Sequence, residues 1–119
     1  MKTLLVGLML MAGCASVWAQ SDVVEVKQVQ HLRGINGIVR DAKGQPLPGA
    51  LIALRLQGSS TVMATTSSHL DGHFVMRLLA PGLYDMDVRE AGFKKALYHL
   101  KVDDQGTKEL LIVTMQAAK

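Results

Sequence analysis

The residue types best suited to metal or acid–base chemistry gather once in this 119-residue chain, as His69, Asp71 and His73. Spaced by two, the three could share one face of a strand, and imidazole and carboxylate are both acceptable zinc or copper ligands. The same stretch contains Asp71-Gly72, however, and that pair is a strong hairpin signal because both positions tolerate positive φ. A reversal there breaks the common face, and no third or fourth ligand is evident. The expected metal set is therefore none, with a metal-binding periplasmic protein as the weakest alternative. Met63, Met76, Met86 and Met115 are scattered and read as core filler, not as a methionine-rich copper site. A hydrolytic triad can be assembled on paper from Ser68, His99 and Asp85. Such a triad needs a strained nucleophile turn, an oxyanion hole and oriented partners, and none of these leaves a trace in the sequence. The expectation is no catalytic residue, no cofactor and no enzyme.

The first residues read as an export signal. Lys2 supplies the positive start, residues 4–13 an apolar run, and Val17-Trp18-Ala19 a small-residue cleavage site before Gln20. As a helix the apolar run spans only ~15 Å, against roughly 30 Å of bilayer hydrocarbon, so cleavage is preferred to anchoring. Met11-Ala12-Gly13-Cys14 offers a rival, since it resembles a bacterial lipobox in which Cys14 would carry the lipid. The two outcomes are a periplasmic or secreted protein and a lipoprotein anchored through Cys14. Cleavage after Ala19 leaves 100 residues without cysteine, enough for one domain with a real core and closed to disulfides and thiol chemistry. Twelve basic residues then face ten acidic ones. They form no basic stripe beyond Lys94-Lys95, which reads as a solvated turn or strand edge, so nucleic acid is excluded.

Turn chemistry recurs at short intervals from residue 30 onward, at 41–44, Pro48-Gly49, Asp71-Gly72, Pro81-Gly82, Ala91-Gly92 and 103–106. Between these marks apolar residues alternate: Ile35, Gly37 and Val39; Ala50, Ile52 and Leu54; Phe74, Met76 and Leu78; Tyr84, Met86 and Val88; Leu111, Val113 and Met115. A weaker run covers residues 62–66. Residues 93–102 fit either a short helix or a strand, and the absence of an N-cap after Gly92 favours the strand. Seven short strands without a long helix predict an all-β, Greek-key sandwich. Its expected core holds Ile35, Val39, Ile52, Leu54, Phe74, Met76, Tyr84, Met86, Val88 and Phe93, with Asp85 and Asp87 turned to solvent. Residues 20–33 are a strand extension or a loose arm.

Gly37-x-Val39-x-Asp41-x-x-Gly44-x-Pro46-Leu47-Pro48-Gly49-Ala50 resembles the opening of a carboxypeptidase regulatory-like domain. Asp71-Gly72-x-Phe74, Leu79-x-Pro81-Gly82-x-Tyr84 and Ala91-Gly92-Phe93 resemble its later turns, in the same order and spacing. The resemblance covers residues 34–116 and implies a seven-stranded, prealbumin-like sandwich acting as an accessory module. The matching positions are turn formers and core residues, so they carry fold and not chemistry. Two enzymes on related sandwiches are excluded by residue. The chain ends Thr114-Met115-Gln116-Ala117-Ala118-Lys119 without the Tyr-Arg-Gly-Ser motif of a hydroxyisourate hydrolase, and Tyr98 alone is left for the two iron-binding tyrosines of an intradiol dioxygenase. A pilin-like B-type domain opens similarly, but Arg40 stands where its crosslinking lysine would be, and the sole asparagine is Asn36, in the first strand. Sugar binding would need flat exposed aromatics, and only Tyr98 is expected outside the core. The favoured reading is an exported, protein-binding module of the cell envelope. Leu51, Ala53, Ile38 and Val75 are expected on outer faces, and carbohydrate binding is the alternative.

Overall fold

A computed structural model describes residues 23–77 and 80–118. The expected signal segment, Cys14, Trp18 and the alternating position Leu78 lie outside the described residues. The described residues form eight strands: β1 (Val23–Leu32), β2 (Ile35–Asp41), β3 (Leu51–Leu56), β4 (Val62–Ser67), β5 (His73–Met76), β6 (Gly82–Arg89), β7 (Lys95–Val102) and β8 (Leu111–Met115). They make an all-β sandwich of two unequal sheets, five strands in the order β1-β7-β6-β3-β4 against three in the order β5-β2-β8. β1 joins β7 and β8 joins β2 in parallel; the other pairs are antiparallel.

Alternation builds the core. Ile52 and Leu54 of β3, Tyr84, Met86 and Val88 of β6, and Ala96, Tyr98, Leu100 and Val102 of β7 point inward from the wide sheet. Ile35 and Val39 of β2, Phe74 and Met76 of β5, and Leu111, Val113 and Met115 of β8 meet them from the narrow one. Gly37 has a packing role: a Cβ there would collide with the Leu111 carbonyl and the Phe74 ring, so its absence lets that ring lie over β2 while β8 pairs beside it. Tyr84 donates its hydroxyl hydrogen to the Ala80 carbonyl, fastening the Pro81-Gly82 turn to the core.

The eighth strand is the N-terminal arm. Val26 packs on the core and Leu32 is buried within it. Val26 pairs with Tyr98 and Gln30 with Leu100, so β1 carries two extra residues where β7 has none. Two is an even number, and both halves of β1 therefore keep the same residues on the inner face. Residues 95–102 are strand, as the missing N-cap indicates.

Four sequence expectations need correction. Asp87 lies on the outer face but is buried, because β6 is the middle strand and Arg55 from neighbouring β3 lies across it. Phe93 is only partly buried: it belongs to the turn before β7, with its amide bonded to the Glu90 carbonyl, and touches the core from the rim. Tyr98 is buried, since it falls on the inward positions of β7. Met63 is 49% exposed, because β4 is an edge strand and bulges at this residue.

Candidate functional site

His69, Asp71 and His73 are held apart by the reversal their sequence announces. The Asp71 carboxylate accepts the His73 amide at 3.0 Å, and the His69 amide donates to the His73 carbonyl at 2.9 Å. Gly72, at φ 82°, closes the turn in a conformation that a side chain would strain. The His73 ring turns to the Asn36 side chain across β2. Among the described residues, no three His, Cys, Asp or Glu side chains are grouped to hold a metal ion.

Of the paper triad, two members meet and the third does not. Ser68 is buried with its hydroxyl fixed on both sides: it donates to the Leu47 carbonyl at 2.7 Å and accepts the Ala50 amide at 2.8 Å. That hydroxyl fastens the 47–50 turn to the end of β4. His99 instead lies on the outer face of the wide sheet between two carboxylates. Its Nδ1 is 2.7 Å from Asp85 on β6, and its Nε2 is 2.7 Å from Glu25 on β1. A neutral imidazole has one N–H, so bonding two ionised carboxylates requires the imidazolium. The hydrogen bond to Glu25, followed by that to Asp85, raises the His99 pKa above its ordinary value, with partial burial opposing. With both nitrogens engaged, the ring is an ionic bridge across β1, β7 and β6 and has no free nitrogen to act as a base.

The same face continues into a second ion pair. Arg55 Nη2 donates to Asp87 Oδ1 at 2.9 Å, and Arg89 lies 3.8 Å from Asp87 Oδ2. Among the described residues, the Arg55 Nε–H has no partner. At the other end of β1, His31 Nε2 meets Asp103 Oδ1 at 2.6 Å, and this contact is the main cause that holds the Asp103 carboxyl below its usual range. Backbone bonds from Asp103 to Leu32 and from Thr107 to His31 clamp that end further. Glu25 and His31 escaped the sequence reading because nothing local signals a parallel pairing of the arm with β7.

Several regions of the described surface stay open. β4 is an uncharged edge with Val62 and Met63 about half exposed. A recess of about 740 Å³ gathers Arg89, Lys94 and Lys95 around Phe93, with Glu90 among them; none of the residues lining it is buried. A groove of about 400 Å³ runs between β1 and β8, walled by Val26, Leu32, Tyr98 and Leu111. Leu51 and Ala53 project from the wide sheet and Ile38 and Val75 from the narrow one, so these four outward residues form two patches on opposite sides.

The fold and its contents define a β-sandwich module whose charged groups join strand to strand. The family model of the carboxypeptidase regulatory-like domain matches residues 34–116, and the chain belongs to that family. No curated protein matches the sequence. Among solved structures, a variant of BcpA, the major pilin subunit of Bacillus cereus, is similar at 18% identity and a TM-score of 0.46, over 71% of this chain. The match spans 27% of that pilin's length. No helix among the described residues is long and apolar enough to cross a membrane.

Proposed function

We propose that this protein is a non-enzymatic, exported accessory module that binds another envelope or secreted protein through its open strand edges. The observation that carries this reading is the division of labour on its surface. The His31, His73 and His99 rings and the buried Asp87 are engaged in strand-to-strand or turn contacts, while the open edges of β4 and β8 lie beside the exposed apolar side chains Val62, Met63 and Ile112. Strand edges of this kind bind extended segments by main-chain hydrogen bonds, with flanking side chains supplying selectivity. Carbohydrate binding loses its one expected platform, because Tyr98 is buried.

Photocrosslinking in the producing cell tests the reading, with a photoreactive residue at Leu51, Met63 or Ile112 and a control at Lys43, in an exposed turn. A discrete protein adduct from at least one edge or face position and none from Lys43 is expected. Adducts to polysaccharide alone, or none at all, would refute it. Export is tested by intact mass: a chain starting at Gln20 is expected, and a diacylglyceryl-modified Cys14 would make the protein a membrane-anchored lipoprotein.

A further inference from the structure

The two sheets are unequal, and the mismatch falls beside β8. The wide sheet extends through β7 to β1, while the narrow sheet stops at β8. The inner faces of β1 and the adjoining part of β7 therefore overhang a groove that no fourth strand fills.

The direction of the main-chain groups on β8 follows from its neighbour. The Val39 amide donates to the Gly72 carbonyl and the Val39 carbonyl accepts the Leu47 amide, both away from β8. Ile38 and Arg40 must then supply the bonds to β8, and in the observed parallel register these reach Leu111, Val113 and Met115. Ile112 and Thr114 consequently turn their amides and carbonyls to the open side. Ile112 thus presents to the groove a donor and an acceptor that β2 does not use and that no described residue outside the ladder bonds.

We infer that the groove between β1 and β8 receives a short extended polypeptide segment of a partner protein, added as a fourth strand at Ile112. This rests on the protein-binding reading above and names the place and the chemistry. The Ile112 amide and carbonyl offer the pair of bonds a strand makes, and alternate side chains of that strand fall against Val26 and Tyr98. Among the described residues lining the groove, Glu109 is the one charged side chain, so the segment that fits is uncharged or carries a cation at that end. A contact this short falls below the roughly 1,200 Å² of a stable protein–protein interface, which favours a peptide segment over a second folded copy.

The test uses ¹⁵N-labelled mature protein and a blocked hexapeptide of alternating Val and Thr. In the free protein the Ile112 amide should exchange rapidly and that of Val113 slowly. Peptide should shift the Ile112, Val26 and Tyr98 amides saturably and slow exchange at Ile112, while the same peptide with alternate amides N-methylated should not. Ile112→Pro removes an amide that β2 does not use, so it should keep the spectrum and lose the response. Saturable shifts confined to β4 would overturn this site and leave the protein-binding reading standing. No saturable shift at millimolar peptide would overturn the inference, and the photocrosslinking result would then decide the broader reading alone. An Ile112 amide already protected in the free protein would also overturn it, assigning the groove to a second copy if protection rises with concentration and to this chain if it does not.

Discussion

Two histidine-bearing regions of this molecule invite opposite readings from sequence and from structure. His69, Asp71 and His73 lie within five residues of one another, look like a ligand set, and form a turn. Glu25 and His99 are 74 residues apart, look like nothing, and form with Asp85 a three-group ionic contact on the outer face of the wide sheet. Proximity in sequence brings side chains together only when the backbone keeps them on one face, and Gly72 prevents that. Strand pairing brings distant residues together with the fidelity of the register: β7 on β6 sets His99 directly opposite Asp85, and β1 on β7 sets Glu25 opposite Leu97, diagonal to His99 on the same face. In a sandwich, the side-chain networks are found across the ladder.

The largest effect separating the two regions should come from a residue beside the first cluster that has no polar chemistry. Phe74 follows His73 and is fully buried against Gly37, whereas Val75 is half exposed on the outer face. Phe74→Ala is expected to destabilise by about 3–5 kcal/mol, enough to unfold a marginal domain of this size. Val75→Ala should cost less than about 1 kcal/mol. Thermal melts of both variants check this. Equal damage would mean that the outer face of the narrow sheet is a packed interface, and the hairpin's contribution would no longer be assignable to its inner side.

The second effect belongs to His99. Its pKa is raised in the folded state, so the unfolded chain binds fewer protons between the unfolded value of about 6.5 and the folded one. The imidazolium bridge therefore stabilises fully below about pH 6.5 and is lost as pH rises through the raised pKa. Discounted for its solvent contact, the bridge contributes about 1 kcal/mol, or a few degrees in Tm. His99→Gln should melt below the native protein at pH 6, with the gap closing as pH rises through the raised pKa. A gap independent of pH would mean that the ring acts by packing and that the network is not ionic.

How much of this was legible follows from the range of the signals involved. Asp71-Gly72 and Pro81-Gly82 announce turns because their φ requirements are local, and the alternation at Tyr84, Met86 and Val88 fixes an inner face that is nearly all buried. The same alternation places Asp87 on the outer face correctly but cannot say that β3 sends Arg55 over it, since exposure depends on the neighbouring strand. Tyr98 was assigned to solvent by elimination although its own spacing with Leu100 and Val102 pointed inward. The arm at residues 23–32 carries alternating valines and could be given a strand, but its partner and its parallel direction have no local signature. Glu25, and the groove beneath β1, were invisible for that one reason.

The smallest effect returns to the cluster that looked most like a site. Replacing both His69 and His73 with Ala removes the His73–Asn36 contact and leaves the Asp71 carboxylate on the His73 amide and the backbone closure of the turn intact, since neither uses an imidazole. The expected cost is about 0.5 kcal/mol, within the range of ordinary surface substitutions. Protein purified without a histidine tag should contain substoichiometric zinc and copper, and added metal should leave the melting temperature unchanged. A ligand that binds only the folded state raises stability by mass action, by about 2.7 kcal/mol at a hundredfold excess over its Kd, so a real site would show as a shift of many degrees. One tightly bound metal per chain, lost in the double variant, would require the 69–73 hairpin to rearrange on binding, because the His73 ring is now held at Asn36. That result would reverse the comparison, making the local cluster the site and the distant bridge the scaffold.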